Sequence, residues 1–137
     1  MAIINQITFK NGIDANNAKR YLVKYSFDNL TKSGDTVTWG SDYEASNIEV
    51  EDLADDLKLK MFYTYADEDN HNYCGYIMYD NGEQLESSTF ENANEVQFLQ
   101  ICNYMGLDIA DSYYDDYSNS DIGADILQDK ADDFLLD

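Results

Sequence analysis

Met61-Phe62-Tyr63-Thr64-Tyr65, Tyr73 to Tyr79, Asn81-Gly82 and Gln84-Leu85-Glu86-Ser87 follow one another in the middle of the chain. The first two runs are dense in aromatic and β-branched residues, which suit a pleated, half-buried surface. The polar residues Asp67 to Asn72 between them read as a loop. Asn-Gly is the favoured pair for a type I′ turn, in which both central residues take positive φ. Flanked by Tyr76-Ile77-Met78-Tyr79 and by Gln84 to Ser87, Asn81-Gly82 predicts a tight hairpin. A three-stranded antiparallel meander is therefore expected here.

On the N-terminal side, Ile3 to Phe9 reads as a strand and Asn11-Gly12 as a turn. Asp14 is the expected N-cap of a helix of about four turns, with Ala18, Tyr21, Leu22, Tyr25 and Leu30 near one face and Gly34 as its stop. Thr36-Val37-Thr38-Trp39 is a short strand, and Ile48, Val50, Leu53 and Leu57 mark an amphipathic helix over 48–58. On the C-terminal side, Val96, Leu99, Cys102 and Met105 keep three-residue steps in a helix capped near Asn92 and ended by Gly106. A terminal helix is expected from Asp121, with Ile122, Ile126, Phe134 and Leu135 toward the core. With no repeat and no linker, residues 1–137 read as a single α+β domain. The expected architecture is an antiparallel β-meander of three to five strands packed against three to four helices.

A chain of 137 residues that is 44% hydrophobic can bury a core without metals or disulfides. No window is apolar for long enough to span a bilayer, and Met1-Ala2-Ile3-Ile4-Asn5 has no signal-peptide character. Cys74 and Cys102 are too far apart for a C-x-x-C motif, so reduced thiols and a cytoplasmic setting are expected.

Charge is the outlying property. The chain holds 28 acidic against 8 basic residues, a formal net charge of −20. Residues 1–60 carry seven bases and ten acids, a balance of −3, whereas residues 61–137 carry only Lys130 against eighteen acids, a balance of −17. Folding gains nothing from such self-repulsion, so the imbalance points to an acidic face with a function. Asp121, Asp125, Asp129 and Asp133 fall at four-residue spacing, with Asp132 beside the last, which on a helix makes one stripe. Asp108, Asp111, Asp115 and Asp116 follow a similar pattern at three- and four-residue steps, interleaved with Tyr113, Tyr114 and Tyr117. Rows of carboxylates a few ångströms apart imitate a phosphate backbone, and tyrosines beside them can stack where bases or arginines would sit. The plainer reading is a solvated face that only keeps the protein soluble.

Other chemistries find less support. EF-hand spacing begun at Asp116 or at Asp67 lacks the required Gly and Glu, and His71, the sole histidine, has no set of partners for zinc. No metal or cofactor is therefore expected. A Cys74–His71 nucleophile would rest on a loop histidine among Asn and Asp. Phosphate-binding glycine motifs are absent from the sequence, and the charge opposes direct contact with nucleic acid. Acids this numerous supply carboxylate pairs by number alone, so a small carboxylate-dependent hydrolase is an alternative that no residue singles out. Trp39, Phe62, Tyr63, Tyr65, Tyr76 and Phe98 read as an aromatic patch or as strand residues that cover a helix.

In size, charge, Tyr/Asp interleaving from Asp108 to Asp133 and lack of catalytic motifs, the chain resembles small anti-defence proteins of bacteriophages and mobile elements. Anti-CRISPR and anti-restriction proteins that imitate DNA are among them. The resemblance implies a non-enzymatic, stoichiometric inhibitor whose partner is a basic nucleic-acid-binding protein, a Cas nuclease or restriction enzyme. An immunity protein or antitoxin that caps a basic toxin nuclease would use the same physics. Monomer and dimer are both open to such a protein.

Overall fold

The computed structural model describes residues 3–107 and 124–136. In chain order they form β1 (Ile3–Phe9), α1 (Gly12–Leu22), a 3₁₀ turn (Val23–Tyr25), β2 (Asp28–Ser33), β3 (Thr36–Ser41) and α2 (Asn47–Leu57). Then come β4 (Met61–Asp67), β5 (Cys74–Asp80), β6 (Glu83–Phe90), α3 (Glu95–Met105) and α4 (Ala124–Leu136). The strands make one six-stranded sheet in the order β2-β3-β1-β4-β5-β6, with every neighbouring pair antiparallel. The α+β class is as expected, but the sheet has six strands rather than three to five.

Strand periodicity explains the layering. On β1, Ile3, Asn5, Ile7 and Phe9 are buried and alternate with half-buried residues. With Val37, Trp39, Met61, Tyr63, Tyr65, Ile77 and Tyr79 they face α1 and α2. The opposite face of β4 and β5 puts Phe62, Ala66, Cys74, Tyr76 and Met78 against α3 and α4. Because helices cover both faces of β4 and β5, these strands are apolar nearly throughout. A train of ring contacts runs from Tyr21 through Tyr25, Phe27, Trp39, Tyr63 and Tyr65 to Tyr73 on the α1/α2 side. All six members of the suspected aromatic patch are buried.

Turn chemistry matches the central reading. Asn81 and Gly82 take φ of 53° and 85°, as a type I′ turn requires. Gly75 lets β6 approach β5, since a Cβ there would lie 2.7 Å from the Ser88 carbonyl oxygen and 2.8 Å from Thr89 Cα. Helix ends differ from expectation. The cap of α1 is Asn11, whose side chain accepts from the Asp14 amide, and the helix closes at Leu22. Ser26 then takes a left-handed φ of 56°, which turns the chain into β2. Leu30 therefore lies on an edge strand, and Gly34 serves the β2–β3 hairpin. In α3, Asn94 rather than Asn92 caps, in a reciprocal box with Gln97, and Gly106 ends the helix with φ 73° as expected.

Buried polar groups tie the loop before α2 to the sheet. Tyr63 Oη donates to Asn5 Oδ1 at 2.7 Å, and the Ser46 amide donates to the same oxygen at 3.2 Å. Asn5 Nδ2 donates to Ser41 Oγ at 3.0 Å, and Trp39 Nε1 to Ser46 Oγ at 3.0 Å. These bonds fix where α2 begins.

Candidate partner-binding surface

α4 buries Leu127, Ala131 and Leu135 at four-residue steps, with Phe134 half-buried beside them. Ile126, expected in the core, is instead 59% exposed. This rotation sets which way the acids point. Asp129, Asp132 and Asp133 are all exposed, but they divide between two flanks. Asp129 and Asp133 border an open groove beside β6 with Met78, Glu86, Ile126 and Phe134. Asp132 accepts from Gln128 Nε2 at 3.0 Å and borders a polar cleft of about 340 Å³ over β1 and β3, with Gln6, Thr8, Asp35 and Tyr104. The Tyr104 hydroxyl pairs with Thr8 Oγ1 at 3.0 Å and is pushed up to about 12, chiefly by burial.

Two cations near α4 are already engaged, while Lys10 borders the same cleft as Asp132. Lys130 Nζ donates to Glu86 Oε2 at 2.7 Å and lies over the Tyr76 ring, and the Glu86 hydrogen bond raises its pKa. Lys60 Nζ sits 4.9 Å from the Phe134 ring centroid. The exposed aspartates of α4 thus keep an excess of negative charge. Of the other residues expected in the site, Asp108, Asp111, Tyr113, Tyr114, Asp115, Asp116, Tyr117 and Asp121 lie outside the described residues, as does Ile122. Asp125 belongs to α4, but its side chain is outside what is described.

An acidic surface that the sequence reading passed over lies across the sheet. On α2, Glu51 and Asp55, and Asp52 and Asp56, form two exposed pairs at four-residue spacing. Tyr21 Oη donates to an Asp56 carboxylate oxygen, and that bond is the main cause of its raised pKa. Lys24 Nζ lies 3.7 Å from the Tyr21 ring centroid. The spacing is present in the sequence, but a balance taken over residues 1–60 hides it behind the seven basic residues there. Acids beyond residue 60 also stand at both ends of the meander: Asp67 at the end of β4 with Glu68 and Asp69 in the loop that follows, Asp80 and Glu83 at the β5–β6 turn. Among the described residues, the acids beyond residue 60 are therefore spread over more than one face.

No described carboxylate is buried; the buried polar residues are Asn5, Ser46 and Thr64. Cys74 and Cys102 are free thiols inside the α3/α4 core, and burial pushes both up to about 12. A thiol so held stays protonated at neutral pH. His71 stacks on Phe98 at 5.2 Å, with Nε2 2.6 Å from the Glu68 carbonyl oxygen. Among the described residues no group of three or more His, Cys, Asp or Glu is placed to hold a metal ion, and no helix is long and apolar enough to cross a membrane. Comparison with protein-family models, curated proteins and solved structures found no match to the chain.

Proposed function

We propose that this protein is a stoichiometric inhibitor that uses an acidic, nucleic-acid-mimicking face to occupy the DNA- or RNA-binding groove of a bacterial defence nuclease, of the anti-CRISPR or anti-restriction kind. It acts by binding rather than by catalysis, in the cytoplasm of a bacterial host. One observation carries the reading: Asp129, Asp132 and Asp133 stand exposed on α4, while Lys130, the sole base beyond residue 60, is held by Glu86. Charge left unbalanced at the surface steers a cation-rich partner and makes association fast and salt-dependent.

The test uses a panel of purified RNA-guided nucleases and restriction endonucleases cutting their own DNA targets. The protein at one equivalent suppresses cleavage by its target, excess non-cognate duplex relieves the suppression, and the effect fades between 50 and 300 mM salt. Asp129→Asn, Asp132→Asn and Asp133→Asn together, which lower net charge without touching the core, reduce potency at least tenfold. Undiminished inhibition by that triple variant at moderate salt rejects the proposed face.

A further inference from the structure

Ile7 and Phe9 of β1 point into the core under α1 and α2, so the strand period puts Gln6 and Thr8 on the other face of the sheet. There the register sets Thr8 beside Thr36 and Gln6 beside Thr38, all four half-buried. These polar residues lie next to β4, whose same face is covered by α3 and α4. Between α4 and this polar stretch lies the cleft of about 340 Å³, with Gln6, Thr8, Thr36 and Tyr104 along it. That is the small end of the range for ligand pockets, about 300–1,000 Å³, and gives room for one side chain rather than a cofactor.

Two carboxylates from separate elements border the cleft: Asp35 in the β2–β3 turn and Asp132 on α4. Burial is the main cause of the raised Tyr104 pKa, and the charges of Asp132 and Asp35 both add to it, so each lies within electrostatic reach of that hydroxyl. Thr36 Oγ1 donates to Asp35 Oδ1 at 3.2 Å, and Gln128 Nε2 to Asp132 Oδ1 at 3.0 Å. A carboxylate offers about four lone-pair sites, so both keep room for further donors. The Thr8–Tyr104 pair uses only one of its two hydroxyl protons, and its remaining lone pairs are also open. Among the described residues that line the cleft, exposed Lys10 is the only base, which leaves two acids against one cation.

This chemistry selects the ligand. An anion would meet two carboxylates. A hard metal ion takes six or more oxygens, and no described group of three acids is placed for one. An ammonium presents its three donors from a single point, whereas a guanidinium is planar, weakly hydrated and spreads five donors over separated acceptors. Leu136, 72% exposed beside the cleft, offers an apolar surface for the methylene stem of such a side chain.

We infer that this cleft seats an arginine side chain of the partner protein, its guanidinium between Asp35 and Asp132 and over the hydroxyls of Thr8, Thr36 and Tyr104. This deepens the inhibitor reading and rests on it. Grooves that hold phosphates use arginine for its forked geometry, and a protein that occupies such a groove must satisfy the same side chains. The exposed aspartates of α4 attract the partner as a whole; the cleft fixes where one of its arginines docks.

The probe is a capped Gly-Arg-Gly peptide, with Gly-citrulline-Gly, its neutral isostere, and Gly-Lys-Gly as comparisons, titrated by nuclear magnetic resonance at about 0.1 M salt. The arginine peptide binds with a Kd of about a few millimolar, the citrulline peptide at least tenfold more weakly, and the lysine peptide at least threefold more weakly. Shift changes centre on the side-chain amides of Gln6 and Gln128 and the backbone amides of Thr8 and Thr36. Asp35→Asn, which keeps an acceptor for Thr36 and removes only the charge, weakens binding at least fivefold. Asp129→Asn, the same change of charge on the other flank of α4, alters it less than twofold. Lys10→Gln tightens it at least twofold. Absence of arginine binding, equal binding of citrulline, equal losses from Asp35→Asn and Asp129→Asn, or shifts centred on α2 each overturn the arginine seat. Nuclease inhibition that is lost in the triple aspartate variant but undiminished in Asp35→Asn removes this inference and leaves the inhibitor reading standing. Asp35-dependent arginine binding by a protein that inhibits no nuclease keeps the seat and removes the inhibitor reading.

Discussion

Replacing Asn5 with Leu tests whether the buried polar network, rather than apolar packing alone, holds α2 against the sheet. Asn5 is fully buried, and its Oδ1 accepts from the Tyr63 hydroxyl and from the Ser46 amide. Leucine has a similar volume, so the substitution leaves little cavity and instead strands those two donors away from water. Each orphaned buried group costs about 1–3 kcal/mol. The bond to half-buried Ser41 adds little, because water can replace it. Some of the cost returns through the apolar surface leucine buries, which leaves a net loss of about 2–5 kcal/mol. Against a typical total of about 5–15 kcal/mol the loss is severe, and at about 3 °C per kcal/mol it lowers Tm by about 6–15 °C. Urea denaturation followed by Trp39 fluorescence and far-ultraviolet circular dichroism measures it. Adding Tyr63→Phe removes one of the stranded donors and should recover about 1 kcal/mol. An Asn5→Leu protein within about 0.5 kcal/mol of the wild type, the range of neutral surface changes, refutes the reasoning, as does a double variant with no recovery.

Gly75→Ala should destabilise by about 1–3 kcal/mol, because the new Cβ meets the Ser88 and Thr89 backbone, which cannot yield without moving β6; a wild-type urea midpoint would show that the strands separate freely. Alkali should destabilise as well. Burial raises the Cys74 and Cys102 thiols to about 12 from 9.0, and Tyr79 and Tyr104 to about 12 from 10.0. The folded protein then keeps protons that the unfolded chain gives up, so the stabilisation is complete below pH 9 and is lost as pH rises toward 12. A urea midpoint that stays level between pH 7.5 and 10.5 contradicts this.

The central meander was legible because its signals are local and agree with one another. Asn81-Gly82 can hardly be anything but a positive-φ turn, and the aromatic runs on either side share the strand period. β2 was lost because an edge strand has little to bury. Only Leu30 and Lys32 are half-buried along it, and Leu30 extends a helical pattern through Tyr21, Leu22 and Tyr25 by coincidence. The break comes from Ser26 in a left-handed conformation, for which serine is no signal. The rotation of α4 was misjudged for a similar reason. Ile126 and Leu127 are equally apolar neighbours, and only the fit of Leu127, Ala131 and Leu135 against α3 and β4 decides which turns inward. The place of β1 between β3 and β4 depends on pairings between residues far apart in sequence. No local pattern records it.

The division of the acids bears on how a partner can be engaged. A balance over residues 1–60 hides the acids of α2 and a balance over 61–137 stresses those of α4, yet each helix carries an exposed acidic surface, and the sheet lies between them. At roughly 10 Å between packed layers the two helix axes stand on the order of 20 Å apart, and the exposed carboxylates on their outer sides farther still. The Debye length is about 8 Å at physiological salt and about 30 Å at 0.01 M. In the cell, therefore, the α2 and α4 surfaces act as separate poles, and a partner that touches one is nearly blind to the other. A flat basic patch could use one pole only. A cleft deep enough to hold a nucleic acid would embrace both, with the α4 aspartates as the pole that the triple variant removes and the α2 acids as the pole that it leaves.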